Sequence, residues 1–347
     1  MSRRRLFEVL VAAIVTICLL VFTGTLSAQG NSDQAFERVR EVQERHTDEL
    51  MAKEGVVGTA VGLNDQGKEA VLVLLERPGV GGIPQELEGV PVHPLVTGKI
   101  SALNARAKGK PGPRIDPTAR FERPVPIGVS TGNANENSAG TIACRVKDSA
   151  GNVYALSNNH VYALENTAHA GDEVLQPGRY DGGIPGVDHD HLGSLYAWVG
   201  IIFSTSASNT VDAAIAASDT SLLGNATPAD GYGTPQSQTI VAATIGMAVQ
   251  KYGRTTSLTK GTVTGINATI PIGYTSGTAQ FVKQIIVQSR SPFIKAGDSG
   301  SLLVTNDGNK NPVGLVFAGN NAGNYAVANP IDLVLDALGG LTVDGSP

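Results

Sequence analysis

The first pattern along the chain is helical. Apolar side chains at Phe36, Val39 and Val42 stand three positions apart within residues 33–54, and Gly55 follows. This spacing predicts one helix with a single buried face that ends at the glycine.

The period then changes to that of short strands. Apolar runs bounded by turn residues predict a hairpin and one further strand, with a short helical turn between them. These segments are 56–63 and 70–75 for the hairpin, 83–88 for the helical turn and 90–96 for the further strand. Together with the helix they make a small α+β module.

The rest of the chain, from residue 127 to residue 343, is predicted to be mostly β. Short apolar runs alternate there with Gly, Asn, Asp and Ser turn clusters, the pattern of a barrel or sandwich pair. The clearest runs are 141–146, 153–156, 211–216, 285–287, 301–304 and 312–317. One helix follows, with Asn329 as its cap, Pro330 at its first position and Gly339 at its end.

These patterns divide the chain into four parts. Residues 1–28 read as a signal peptide, 29–104 as the α+β module, 105–122 as a linker and 123–347 as the main domain. The linker mixes basic residues with Pro and Gly and contains few apolar residues, so it is expected to be exposed.

The N-terminal segment predicts export. Three arginines precede a largely apolar run over residues 9–22, and small residues lead up to Ala28. A charged start, an apolar centre and a small residue at the cut are typical of a bacterial secretory signal. The alternative is an uncleaved membrane anchor, the one way in which the sequence would place this protein at a membrane.

Composition excludes several classes of protein. The formal charge is −5, and without residues 1–28, which carry three Arg and one Glu (+2), it becomes −7. An acidic chain without a basic stripe is not expected to bind nucleic acid. Its two cysteines, Cys18 and Cys144, are far apart in the sequence, which excludes a disulfide-rich scaffold and a Cys-x-x-Cys metal site.

A serine between glycines is the first candidate for chemistry. Residues 297–301 read Gly-Asp-Ser-Gly-Ser and precede an apolar run. The glycines permit a tight turn that exposes the Ser299 hydroxyl and directs the N–H groups of Gly297 and Ser299 to one point. An ordinary Gly-Ser turn is the alternative.

Two further residues could activate that serine. His160 ends a strand-like run, and Asp212 heads a run of small apolar residues. A buried carboxylate needs a donor, and an imidazole N–H supplies one. Taken singly, each residue could equally be an ordinary surface or strand-edge residue.

The order His160, Asp212, Ser299 is one of the chain orders of the serine-protease triad. On these segments the chain resembles the chymotrypsin/trypsin-like serine peptidases, and most closely the disulfide-free bacterial branch related to the plant narrow-leaf protease. The resemblance covers roughly residues 121–340. It implies a mostly β, two-barrel chymotrypsin-like fold with a C-terminal helix, preceded here by the α+β module.

The resemblance also implies roles for residues. His160, Asp212 and Ser299 would be catalytic, with the N–H groups of Gly297 and Ser299 as the oxyanion hole. The strand that ends in Phe317, Ala318 and Gly319 would pair with substrate, and Phe293, six residues before the nucleophile, would form the base of the primary pocket. The implied activity is a serine endopeptidase acting on protein or peptide substrates without metal or cofactor.

One family feature is absent. Many secreted relatives bridge a strand cysteine to a cysteine directly after the catalytic histidine. Cys144 matches the strand position, but Val161 follows His160. The first barrel must therefore hold together by packing alone.

Three alternatives remain open. The barrels could form a catalytically silent module that binds peptides or glycans. The N-terminal module could be an inhibitory pro-domain or a permanent brace that packs on the first barrel. The acidic and histidine-rich segment 188–191 could bind a metal, although a solvated loop is the preferred interpretation.

Overall fold

The computed structural model describes residues 34–102 and 115–345. The predicted signal peptide and most of the predicted linker lie outside the described residues. Among those that are described, no helix is long and apolar enough to cross a membrane. The structure is mostly β and contains two large sheets, as the sequence predicts.

The N-terminal module consists of one helix and five strands. Helix α1 spans residues 34–51 and buries Val39, Val42 and Leu50 against the strands. The strands are β1 (Val56–Leu63), β2 (Glu69–Leu75), β3 (Glu86–Leu87), β4 (Val90–Val96) and β5 (Ile100–Ala102). The helical turn predicted at 83–88 is wrong, because Glu86 and Leu87 pair with β4 instead.

The first barrel follows. Its strands are β6 (Ser130–Asn133), β7 (Gly140–Thr141), β8 (Cys144–Lys147), β9 (Val153–Ser157), β10 (Glu173–Leu175), β11 (His191–Trp198) and β12 (Ala214–Ser218), and helix α2 (Asn159–Tyr162) follows β9. β7 pairs with β6, whereas β8, two residues further along the same run, pairs with β9. The sheet therefore returns onto itself around one apolar core.

The second barrel closes completely. Its strands are β13 (Ala248–Gly253), β14 (Ser257–Gly273), β15 (Thr278–Gln288), β16 (Leu302–Thr305), β17 (Pro312–Asn320) and β18 (Tyr325–Pro330). They pair in the circular order β13-β16-β17-β18-β15-β14, and β14 pairs with β13 again. Helix α3 (Ile331–Ala337) and strand β19 (Thr342–Val343), which pairs with β8, end the fold.

The module is continuous with the second barrel. β1 pairs antiparallel with β14, so that one sheet contains the strands of both. A polar contact crosses this junction, since Asn267 Nδ2 in β14 donates to Oε1 of the buried Gln43 at 2.9 Å. Within the module, Gln43 Nε2 donates to Thr59 Oγ1 at 2.8 Å. The expectation that an attached module packs on the first barrel is wrong: these strand pairs place it on the second.

Asn329 does not cap the last helix. It lies in β18, and its side chain receives a hydrogen bond from the backbone N–H of Asp212 at 3.1 Å. Its Nδ2 donates to Gln284 Oε1 at 2.7 Å. The Asn329 side chain therefore makes tertiary hydrogen bonds and does not form the local helix cap that the sequence predicts.

Two arginines at the boundary between the predicted linker and the main domain bind the 188–191 segment. Arg120 donates to Asp190, which is fully buried, and Arg123 donates to the backbone carbonyl oxygens of His189 and His191 at 2.8 and 2.9 Å. The interpretation of 188–191 as a solvated loop is therefore wrong for Asp190. The backbone near Arg120 is anchored to the first barrel.

A buried ion pair joins the two barrels behind the candidate nucleophile. Arg254, in the turn between β13 and β14, donates through Nε to Asp181 Oδ2 at 2.7 Å and through a second nitrogen to Oδ1. Ser130 Oγ donates to the same carboxylate at 2.6 Å. The two charged side chains are 0% and 3% exposed, so each depends on the other for compensation of its charge.

We expect Asp181→Ala to lower the free energy of unfolding by about 3–5 kcal/mol, because it leaves a buried guanidinium without its carboxylate. The measurement is the free energy of unfolding from urea titrations of the substituted and the unsubstituted protein. Glu54→Gln removes the exposed partner of Arg77 and serves as control, with an expected change below about 1 kcal/mol. Equal effects of the two substitutions would contradict the role of the buried pair.

Candidate active site

The centre of the candidate site is the buried carboxylate of Asp212. It lies two residues before β12 and is fully buried. Its Oδ1 accepts from the backbone N–H of His160 at 3.2 Å, and its Oδ2 contacts His160 Nδ1 at 2.6 Å. The hydroxyl of Tyr274 donates to the same Oδ2 at 2.9 Å. Three donors therefore compensate a charge that would otherwise be costly to bury.

The backbone of Asp212 is fixed as well. Its N–H donates to the side chain of Asn329, and its carbonyl oxygen accepts from Asn158 Nδ2 at 2.7 Å. Asn158 directly precedes helix α2, which carries His160. The loop before β12 and the start of α2 are thus held together by side chains as well as by the imidazole.

The contact with Asp212 assigns a proton to His160 Nδ1, because a carboxylate can only accept. In the neutral imidazole, Nε2 then has the lone pair. Nε2 is buried and has no hydrogen-bond partner among the described residues. The imidazole is therefore oriented as a base.

Ser299 lies in the turn that the sequence predicts. Gly297 and Gly300 adopt positive φ values of 97° and 92°, which side chains rarely tolerate. At Gly300 a Cβ would lie 2.2 Å from the Thr141 carbonyl oxygen and 2.3 Å from Ser157 Oγ, so the turn packs directly against the first barrel. The Ser299 hydroxyl donates to the Phe317 carbonyl oxygen at 3.1 Å.

The turn that carries Ser299 and the helix that carries His160 both pack against β7. A Cβ on Gly140 would lie 2.6 Å from Val161, the neighbour of His160, and 3.1 Å from the carbonyl oxygen of Ser299. The N–H of Thr141 donates to that same oxygen at 2.8 Å. His160, Asp212 and Ser299 are all fully buried.

A second buried ion pair supports the nucleophile turn. Asp298 accepts from the backbone N–H groups of Lys295, Thr255 and Thr256, at 2.9, 2.8 and 3.1 Å. Lys251 Nζ lies 3.4 Å from its Oδ2, and both side chains are completely buried. Burial lowers the pKa of Lys251 and the Asp298 carboxylate opposes that shift. The pair fixes the residue directly before Ser299.

The residues assigned to substrate binding separate into two groups. Phe317, Ala318 and Gly319 lie in β17. The carbonyl oxygen of Phe317 accepts the hydrogen bond of the Ser299 hydroxyl, which places this end of the strand beside Ser299. Phe293 packs in a different apolar cluster inside the second barrel, where Lys251 Nζ lies 5.8 Å from its ring centroid.

Among the described residues, no three His, Cys, Asp or Glu side chains form a group that could hold a metal.

Sequence reasoning misses Tyr274. It lies one residue beyond β14, and its ring packs edge-on against His160, with the ring centroids 5.9 Å apart. Burial and the nearby Asp212 charge raise the pKa of Tyr274 well above its usual value, so its hydroxyl stays protonated and donates. Nothing in the local sequence indicates this contact, because a long hairpin brings the tyrosine across from the second barrel.

Asn329 and Lys251 are missed for related reasons. Each stands within a strand, where the alternation of polar and apolar residues does not distinguish an outward side chain from a buried one with a partner. A lysine in the middle of an otherwise buried strand is the one indication that a carboxylate partner exists.

One protein-family model matches part of the chain. Residues 219–336, which include Ser299 but not His160 or Asp212, match the model of peptidase family S64. No curated protein matches the sequence.

Two similar solved structures are bacterial proteases. One is a chymotrypsin from Cellulomonas bogoriensis, 21% identical over 64% of this chain and 98% of the other, with a TM-score of 0.42. The other is Protease A from Thermobifida fusca, 16% identical over 64% of this chain and 99% of the other, with a TM-score of 0.44. The match over residues 219–336 agrees with the resemblance to serine peptidases that the sequence predicts for the part of the chain that carries Ser299.

Proposed function

We propose that this protein is an exported serine endopeptidase that cleaves peptide bonds through His160, Asp212 and Ser299. The observation that carries the proposal is the buried contact between His160 Nδ1 and Asp212 Oδ2 at 2.6 Å, beside a serine held in a glycine turn. The N-terminal pattern of residues 1–28 supports export.

In the first half of the reaction, His160 Nε2 takes the proton of the Ser299 hydroxyl while Ser299 Oγ attacks the scissile carbonyl carbon. The N–H groups of Gly297 and Ser299 stabilise the negative oxygen of the tetrahedral intermediate. When the C–N bond breaks, His160 gives the proton to the departing amine, and an acyl-enzyme remains.

In the second half, water replaces the amine. His160 removes a proton from the water as its oxygen attacks the acyl carbon, and then returns the proton to Ser299 Oγ as the carboxylic acid leaves. Asp212 keeps the imidazole in the required tautomer and stabilises its charged form. No metal or cofactor takes part in any of these steps.

Substrate binding is proposed along β17. An extended peptide would pair with the backbone of Phe317, Ala318 and Gly319, and Phe293 would close the base of the primary pocket. The apolar character of the two phenylalanines favours small or medium apolar residues before the cut.

The catalytic proposal is tested with a fluorophosphonate probe, which reacts with activated serines. We expect the protein to be labelled and Ser299→Ala to abolish labelling, with peptide turnover reduced about 10⁶-fold. Asp212→Asn should reduce turnover about 10⁴-fold, because the imidazole loses its tautomer. Absence of Ser299-dependent labelling, including after cleavage of the linker, would instead support the silent binding module.

We expect Tyr274→Phe to lower kcat about 10- to 100-fold with little change in KM, since one charge-assisted hydrogen bond to Asp212 is lost. Tyr154→Phe is the matched control, because the Tyr154 hydroxyl also donates to a carboxylate, Asp148, at 3.1 Å, but in a turn of the first barrel. Equal kinetics for the two variants would remove Tyr274 from the positioning of Asp212.

The specificity proposal is tested by cleavage of a peptide library by protein that has not been treated with the fluorophosphonate probe. We expect small or medium apolar residues to be enriched directly before the cut. A strong preference for Lys or Arg at that position would show that Phe293 and Phe317 do not form the pocket.

A further inference from the structure

The last strand of the N-terminal module lies where a substrate would bind. β5 pairs antiparallel with β17, with Ala102 opposite Ala318 and Ser101 opposite Gly319. These are two of the three β17 residues assigned to substrate binding. The third, Phe317, accepts the Ser299 hydroxyl bond, so β5 lies beside the candidate nucleophile.

Contacts on both sides hold β5 in this position. On its other side Ser101 forms a parallel bridge to Gly273 at the end of β14. Ile100 is 6% exposed and belongs to the apolar cluster that contains Phe317 and Ala318. Just before the strand, Asn320 Nδ2 donates to the Thr97 carbonyl oxygen at 2.8 Å.

The hairpin end beside β5 also covers the triad. Tyr274 follows Gly273 directly and contacts both His160 and Asp212. The next two residues, Thr275 and Ser276, donate their backbone N–H groups to the Glu165 carboxylate, at 3.2 and 2.7 Å. Ser299 and His160 themselves have no solvent-exposed surface in this structure.

We propose that β5 is a built-in inhibitor that binds β17 in the manner of an extended peptide substrate and keeps the site latent. This inference rests on the proposed function and adds its regulation. A tethered strand has an effective concentration in the millimolar range, which is sufficient to exclude substrates of ordinary affinity. Activity then requires β5 to leave the groove between β17 and β14.

The geometry allows a reversible lock. A Cβ built on Gly273 lies 3.8 Å from Ser101 Cβ, the usual separation across a disulfide. The Ser101→Cys/Gly273→Cys variant should therefore form a bond that fixes β5 in the groove. Burial raises the pKa of the Cys144 thiol, which keeps it unreactive, and Cys18→Ser in every variant removes the other thiol.

The experiment measures the rate of fluorophosphonate labelling of Ser299 in protein whose linker is cut at an inserted recognition site replacing residues 107–113. We expect Ser299 of the disulfide-bonded double-cysteine variant (the oxidised lock) to be labelled at least about tenfold more slowly than in the same protein after reduction (the reduced lock). Only the reduced lock can release the tethered strand β5 from the groove. The single variants Ser101→Cys and Gly273→Cys should not respond to reduction.

A second variant tests the same contact without a disulfide. Ile100→Asp places a charge in the apolar cluster and should accelerate labelling of the uncut chain. Ile184→Asp, at a site that is 53% exposed, is the matched control and should not. Unfolding midpoints of both variants identify any loss of fold.

The outcomes separate this inference from the proposed function. If the oxidised and reduced locks label at the same rate, or if the disulfide does not form, β5 is not an inhibitor in the groove, while labelling still supports the peptidase. If no form labels, including reduced lock and Ile100→Asp, the proposed function fails and the inference falls with it.

Discussion

The arrangement of the whole site depends on one buried charge, the carboxylate of Asp212. A carboxylate without water must be surrounded by donors, or its burial would cost several kcal/mol. Its donors come from separate parts of the fold: the start of α2 supplies both His160 groups, and the end of β14 supplies Tyr274. Asn158 and Asn329 fix its backbone. Satisfying this one group therefore aligns both barrels around the imidazole.

A second set of buried charges fixes the turn that carries Ser299. The Lys251–Asp298 pair holds the residue before Ser299, and the Arg254–Asp181 pair connects the turn after β13 to the first barrel. Thr141 lies between them, since its hydroxyl donates to the Gly297 carbonyl oxygen at 2.8 Å and accepts from the Arg254 N–H at 3.0 Å. Rigid support of this kind would hold the proposed oxyanion donors, the N–H groups of Gly297 and Ser299, in place without reorganisation. With no disulfide among the described residues, these pairs and the packed cores hold the barrels together.

The length of β14 links the site to the N-terminal module. Its 17 residues extend well beyond the barrel wall, so the same strand pairs with β13, β15, β1 and β5. Tyr274 follows its last residue and reaches Asp212. A displacement of β5 would therefore shift the hairpin end that contacts His160 and Asp212. This continuity gives a physical route by which a module outside the barrels could control access to Ser299.

Local rules account for much of this protein and stop at a definite point. The periods of apolar residues placed α1, the β1–β2 hairpin and α3, because burial of one face is a local property of spacing. The glycines around Ser299 predicted the nucleophile turn, because positive φ is a local demand. Partners across the fold were beyond reach: Tyr274 on Asp212, Asn329 on the Asp212 backbone, and β5 on β17. These contacts join residues 60 to more than 200 positions apart, and only the closure of the two barrels brings such residues together.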